Sequence, residues 1–315
     1  MRSENNDKDM TSFLEGLRSI SIEGLEEIGK GGNGTVYRID PETIVKVYYG
    51  ERNSVEKIKH NQEITKRVFV QGIPTTIAFD MVRVGDDYGV VYEMIDAKSL
   101  SREIIDNPDK LEYYSNVIAD TLKTLHSTEF EKGTLPNAKE AAYRDVKAIY
   151  DCGVIDSSEA DVLNRFIDDV PDRYTFIHQD FHPGNIMLQK GEPILIDVED
   201  AGLGHPVFDL SSMYLVYVTA AHAGNKGFEG ISAKQFDIIW NLVIKRYFGT
   251  TDDQKIADLN RVLSAYSRIK YLRGVATSPR VPKLLRKTVP RFMKKKTLNA
   301  AKTLSIKDSE LLMSL

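Results

Sequence analysis

The string GKGGNGTVYRIDPETIVKVYY, Gly29 to Tyr49, constrains this chain most. It spaces glycines as Gly29-x-Gly31-x-x-Gly34, then sets two alternating apolar runs around the turn Asp40-Pro41-Glu42. Glycine-rich turns serve several phosphate-binding designs, and the residues after the last glycine separate them. A Walker A loop needs Lys and then Ser or Thr there, whereas Thr35 and Val36 follow here. A dinucleotide-binding unit needs a helix to begin inside the string. The pattern here reads strand, turn, strand. What survives is a β-hairpin whose glycine turn brings backbone N–H groups close to an anion.

Lys46 falls on the return strand of that hairpin, where an unpaired charge is costly to bury. It either faces solvent or reaches the phosphates of a nucleotide with a carboxylate to hold it. The next segment, SVEKIKHNQEITKRVFVQG, reads as a helix ended by Gly72, and its Glu56 and Glu63 lie seven apart on one face. Glu63, nearer the helix end, is the expected partner. Two more strands fit TTIAFDMV and YGVVYEMI. Beyond Asp96 the texture turns helical, with Leu111, Tyr114, Ile118, Leu122 and Leu125 at three- and four-residue intervals.

Two short apolar runs interrupt the helices. FIHQDFHPGNIML holds His178, Asp180, His182 and Asn185, and PILIDVED ends its apolar run on Asp197. A metal-dependent hydrolase reading of His178, Asp180 and His182 needs further ligands. The remaining histidines, His60, His126, His205 and His222, form no ligand pattern. Asn185 and Asp197 instead offer two oxygen ligands suited to Mg²⁺, a hard ion shared between a few protein groups and phosphates. Asp180 is then left to orient a hydroxyl.

Glycine hairpin, strand lysine, helix glutamate, His-x-Asp-x₄-Asn and apolar-Asp occur in the order of the protein kinase-like fold. More closely, IHQDFHPGNIML…ILIDVEDAGLGHPVFDLS resembles the aminoglycoside phosphotransferase/choline kinase family, over roughly Ile20 to Tyr217. The resemblance implies a bilobal α+β fold. An extension (1–17) precedes a β-rich N-lobe (18–95), a helical C-lobe (96–278) and a basic tail (279–315). It implies ATP between the lobes: Ile28, Val36 and Ile44 as the roof, Met187 as the floor, the segment Glu93 to Ile95 against adenine, and Gly29, Gly31 and Gly34 over the phosphates. Lys46 would bind phosphate, Asn185 and Asp197 would hold Mg²⁺, and Asp180 would be the catalytic aspartate. His178 would brace the loop, Asp209 would anchor it, and His182 would either touch the γ-phosphate or brace the loop as well. Gln179 stands where these enzymes often carry glycine.

The expected reaction is ATP- and Mg²⁺-dependent transfer of a phosphoryl group to a hydroxyl of a small molecule of aminoglycoside, choline-like or amino-sugar type. Asp209 follows Asp197 by only twelve positions, which leaves no room for the activation segment on which protein kinases dock peptides. Glu199 and Asp200 are placed to attract a cationic acceptor. Tyr214, Tyr217, Trp240 and Tyr271 form either an aromatic box for an ammonium group or, more economically, core. The alternative class is a nucleotide-binding, pseudokinase-like regulator without turnover. ATP and GTP are not distinguished, nor is an oligomeric state read.

The chain of 315 residues is 42% hydrophobic and 28% charged, enough for two lobes with their own cores. No apolar run approaches the ~20 residues of a bilayer span, and the polar start lacks a signal-peptide core. The single cysteine, Cys152, excludes a disulfide framework and is expected to be at least half-buried. A cytoplasmic protein is the economical reading. Its net charge of -4 conceals a split: Arg261 to Lys307 holds 14 Lys/Arg and no Asp/Glu. That tail is expected to pack its apolar side on the C-lobe. Membrane contact is the less favoured reading, nucleic acid is not expected, and Pro279, Pro282 and Pro290 argue against one long helix.

Overall fold

The computed structural model describes residues 14, 16–31, 34–50, 53–223, 227–279 and 281–315. They form two compact units. One takes the described residues through Ala97 together with Gln189–Glu199, the other Lys98–Leu188 and Asp200–Leu315.

The first unit is built on β1 (Glu26–Lys30), β2 (Gly34–Arg38), β3 (Thr43–Tyr48), helix α1 (Val55–Val70), β4 (Ala78–Val84) and β5 (Asp87–Glu93). The strands form one antiparallel sheet in the order β1-β2-β3-β5-β4. Strand alternation divides β3 between two cores. Val45 and Val47 pack with Val82, Val84 and Val91 on one face, while Tyr48 packs with Val90, Tyr92, Val55 and Ile58 on the other. Lys46 shares the parity of Tyr48 and so points to the face that carries α1. Ser54 caps that helix by accepting from Lys57 N–H, and its buried stripe is Val55, Ile58, Asn61, Ile64, Thr65 and Val68. The N-terminal extension lies largely outside the described residues, but Leu14 and Leu17 pack on the sheet core rather than standing apart from it.

In the second unit β6 (Lys98–Ser99) leads into α2 (Leu100–Asp106), α3 (Leu111–Ser127), α4 (Ala138–Asp151) and α5 (Ser157–Asp168). Next come β7 (Thr175–Ile177), a single 3₁₀ turn at Pro183–Asn185 and β8 (Ile186–Gln189), which pairs with β6. Strand β9 (Glu192–Leu195) belongs to the first unit, where Leu195 N–H donates to Pro74 O at 2.8 Å and Thr75 Oγ1 to Leu195 O at 3.0 Å. β10 (Gly202–Gly204) pairs with β7. The chain then forms α6 (Val207–Tyr214), which runs on as a π-helical stretch through Ala220, α7 (Ala233–Phe248), α8 (Asp253–Thr277), α9 (Lys283–Thr303) and the short α10 (Glu310–Met313). α8 packs against α4, α6 and α9. The α+β architecture, an antiparallel sheet followed by a helical part, is the one expected.

Two expectations are corrected. The tail forms a single 21-residue helix despite its prolines. Pro282 sits at the N-cap, outside the hydrogen-bonded ladder, and buried Pro290 removes only one rung of a helix that packs on α8 and α5. Cys152 is exposed, because it caps the end of α4 at a turn completed by Gly153 in a left-handed conformation. Among the described residues no helix is long and apolar enough to cross a membrane.

Candidate active site

In the first unit the sheet lysine is held by two carboxylates. Lys46 Nζ lies 2.5 Å from Asp197 Oδ1 and 2.8 Å from Glu199 Oε1. Burial alone would favour the neutral amine, but Glu199 and Asp197 outweigh it and hold the ammonium well above its ordinary pKa. Glu199, itself buried, also accepts from Tyr48 OH at 2.6 Å, Tyr92 OH at 3.2 Å and Asn61 Nδ2 at 3.2 Å. Asp197 is half-exposed and adopts φ 58°, in the left-handed region that Asp tolerates better than most residues.

The expected partner, Glu63, is not the one found. It is exposed and pairs with Arg67 at 3.6 Å, one turn along its own helix, and Glu56 is exposed too. Both lie on the outer face of α1. Two residues back from Glu63, about 200° around the helix, Asn61 faces the sheet and reaches the lysine only through Glu199. The reading of Glu199 as an attraction for a cationic acceptor falls with this, since its oxygens are committed inside the core. Asp200 is exposed.

The glycines differ in what they require. A Cβ on Gly34 would lie 2.2 Å from Val47 O, so the β2–β3 approach demands glycine there, whereas one on Gly29 would meet Val36 at an ordinary 3.8 Å. Gly31 N–H donates to Gly34 O at 2.9 Å and closes the base of the turn, whose tip, residues 32 and 33, lies outside the described residues. Val36, Lys46 and Val90 are cross-strand neighbours, as are Ile44 and Tyr92. Ile28 is exposed on β1, Glu93 ends β5 and Ile95 is buried, while Met94 N–H between them donates to Glu42 O at 2.7 Å.

In the second unit the loop after β7 is bound from below. Asp209, buried in the first turn of α6, accepts His178 N–H at 2.9 Å and Gln179 N–H at 2.6 Å. His126 Nε2 stands 3.2 Å from the same carboxylate and its Nδ1 2.7 Å from Tyr247 OH. Burial would raise the Asp209 pKa, but hydrogen bonding from His126 and the amides holds it below the usual value. His178 is fully buried, and its Nδ1 faces Asp180 N–H at 3.4 Å. Asn185 donates to Asp180 O at 2.9 Å, which leaves its own side-chain oxygen as a possible metal donor. Met187 lies on β8 opposite Ser99.

Gln179, which stands where enzymes of the resembling family often carry glycine, has φ 68°. Its carbonyl accepts from Lys270 Nζ at 2.6 Å and Ser212 Oγ at 3.1 Å. The Asp180 carboxylate is 56% exposed, with Lys270 Nζ and His182 Nε2 each 3.9 Å away. His182 Nδ1 accepts Gly184 N–H at 3.1 Å and lies 3.6 Å from Glu229. Ser101 Oγ donates to Glu229 Oε2 at 2.6 Å. These contacts give His182 a bracing role in the loop.

Sequence reasoning missed Lys270, Ser212, Glu229, His126 and Asn61. For Asn61 the signal was the apolar stripe of its own helix, Ile58, Ile64 and Val68; Lys270 stands among other cations in SRIKYLR and gave none. Tyr214, Tyr217 and Trp240 are core: Tyr217 and Trp240 are buried, the three rings meet edge to face, and Trp240 Nε1 donates to Asn260.

Among the described residues no cluster of three His, Cys, Asp or Glu could hold a metal on its own. Asp197 in the first unit and Asn185 in the second each carry a side-chain oxygen of the kind Mg²⁺ takes, an ion that binds one or two protein oxygens and completes its shell with phosphate and water.

The family model described as "Phosphotransferase enzyme family" matches residues 24–228. Among solved structures, the chain is similar to the ADP-bound aminoglycoside phosphotransferase APH(2'')-Ib, at 15% identity over 90% of this chain and 93% of that one, TM-score 0.54. An aminoglycoside phosphotransferase in complex with GDP and kanamycin matches at 15% identity over 90% and 94%, TM-score 0.54. Amicoumacin kinase in complex with AMP-PNP, Ca²⁺ and its ligand matches at 17% identity over the whole of both chains, TM-score 0.50. No curated protein sequence matches significantly. At these identities the structural matches show the shared fold alone.

Proposed function

The chain belongs to the phosphotransferase enzyme family, and on that premise we propose that it transfers the γ-phosphoryl group of ATP to a hydroxyl of a small molecule. One observation carries the reading. The loop around Asp180 turns His178, Asn185 and the Gln179 amide and carbonyl inward, and leaves the Asp180 carboxylate exposed. A loop so thoroughly fastened presents one acceptor of a proton.

Lys46 binds the nucleotide phosphates. Its charge is secured by Glu199, so that Asp197 can be released to another cation without leaving the ammonium unpaired. In this reading the glycines of the β1–β2 hairpin, Gly29, Gly31 and Gly34, lie over the phosphates, and the Glu93 to Ile95 segment faces adenine. Asn185 and Asp197 would hold Mg²⁺, which supplies charge neutralisation at the phosphates when bound. Asp180 accepts a hydrogen bond from the acceptor hydroxyl and orients its oxygen toward the γ-phosphorus. As the new O–P bond forms, the bond to the β-phosphate oxygen breaks, ADP leaves, and the hydroxyl proton passes to the Asp180 carboxylate. In a loose transition state that hydroxyl needs little prior deprotonation, so an ordinary carboxylate serves.

The acceptor class of this proposal is a hydroxylated amine of aminoglycoside, choline-like or amino-sugar type. Similarity to proteins solved with kanamycin and with amicoumacin supports it, as does the short Asp197–Asp209 interval, which excludes a peptide platform. Incubating the protein with ATP or GTP, Mg²⁺ and a panel of aminoglycosides, choline, ethanolamine and amino sugars tests it. Phosphorylated product is expected from at least one. Nucleotide binding with no product across the panel would favour a regulator.

A further inference from the structure

Helix α9 covers the second unit with one face only. It buries Pro290, Thr297 and Leu298, yet leaves Leu284 71%, Leu285 45% and Phe292 77% exposed. Lys287, Arg291, Lys295 and Lys302 recur at three-, four- and seven-residue steps from Leu284 and are exposed on the same arc. Alongside runs a groove of about 390 Å³ lined by Val289, Phe292, Met293 and Thr288, with two cations, Arg268 and Lys296. The lining is almost wholly apolar apart from those two charges.

Two of the helix's cations are used internally. Lys294 pairs with Glu159 at 2.8 Å, and Arg286 donates to the carbonyls of Val281 and Pro279. Neither lies on the exposed arc. No acidic residue occurs between Arg261 and Lys307, so neither α9 nor the adjoining half of α8 supplies a carboxylate to the arc.

We infer that this face docks the protein on an anionic phospholipid surface. Lys287, Arg291, Lys295 and Lys302 meet the headgroup phosphates, Leu284, Leu285 and Phe292 enter the boundary with the acyl chains, and the groove takes one acyl chain with its headgroup between Arg268 and Lys296. Charge complementarity selects an anionic partner. The three exposed apolar side chains select a lipid surface over a nucleic acid, which would match the cations and leave Leu284 and Phe292 in water. The inference does not depend on the phosphotransfer reading.

Co-sedimentation of the full chain with vesicles tests it. Binding is expected to phosphatidylcholine vesicles containing about 30% phosphatidylglycerol and not to phosphatidylcholine alone, falling steeply between about 0.05 M and about 0.5 M salt. Phe292→Ser and Leu284→Ser replace exposed side chains, so their thermal unfolding should match wild type. Each should weaken vesicle binding roughly tenfold, and Arg291→Glu with Lys295→Glu should abolish it. Absence of binding at low salt overturns the inference. So does vesicle binding that is indifferent to Phe292→Ser and Leu284→Ser and matched by heparin or duplex DNA, since the face would then be a general polyanion surface.

Discussion

Glu199 Oε1 sits 2.8 Å from Lys46 Nζ and 2.6 Å from Tyr48 OH, both on β3, and 3.2 Å from Tyr92 OH on β5, so one buried carboxylate braces the sheet lysine and the strand beside it. Removing it leaves Lys46 with Asp197 alone and strands the Tyr48 and Asn61 donors inside the core. Glu199→Ala should therefore cost about 3 kcal/mol in denaturant unfolding. Glu199→Gln, which keeps hydrogen bonds to Tyr48 and Lys46, should cost about half that. Restoring a helix acid at the expected position would not help, because Glu63 is already an acid and faces outward.

The two glycines separate in a similar way. Gly34→Ala drives a methyl into Val47 O at 2.2 Å and should destabilise the first unit by roughly 2 kcal/mol or more. Gly29→Ala meets only Val36 at 3.8 Å and should stay within about 1 kcal/mol of wild type. Thermal unfolding of the pair checks this.

Gln179 and Lys270 are expected to be coupled. A non-glycine residue in the left-handed region costs about 1–2 kcal/mol, and Lys270 and Ser212 hold its carbonyl there. Lys270→Met should lower stability by about 1–2 kcal/mol and raise amide exchange at His178 to Asp180. In a Gln179→Gly background that penalty should shrink, giving a coupling of at least about 0.5 kcal/mol in a double-mutant cycle. Equal penalties in both backgrounds would show that Lys270 acts elsewhere.

His205 gives the protein a dependence on pH. It is buried, its Nδ1 accepts Val207 N–H at 3.0 Å, and burial followed by the charge of Arg173 pushes its pKa down to about 4. The unfolded imidazole, near 6.5, then binds more protons than the folded one. Stability is thus full above about pH 6.5, falls as pH drops through that value, and levels off below the folded value near 4. Between about pH 7 and pH 5 the loss should be about 2 kcal/mol. His205→Asn, which keeps an acceptor for the Val207 amide, should flatten that part of the pH–stability curve.

What was legible in the sequence was local. Alternation around Asp40-Pro41-Glu42 showed the hairpin, and the spacing of Asp180, Asn185, Asp197 and Asp209 showed the loops, because both depend on neighbours in the chain. The partners across the fold were not legible. Asn61 and Glu199 meet 138 positions apart, and Lys270 reaches Gln179 over 91. No period or motif encodes such a contact. Glu63 was chosen from a helix face without knowing which face turns to the sheet, and the apolar set Ile58, Ile64, Val68 would have pointed to Asn61 instead. Pro290 misled because its cost was counted without the packing of α9 on α8, which offsets it.

The role of Asp180 tests the central claim most directly. Phosphoryl transfer from ATP to whichever acceptor the panel identifies should be compared in wild type and Asp180→Asn, with nucleotide affinity measured on both. The variant should lose about 10²–10⁴ in turnover while binding ATP as wild type does, because the substitution removes the exposed carboxylate and leaves Lys46 and the Asp209 anchor in place. Undiminished transfer by Asp180→Asn would contradict the account.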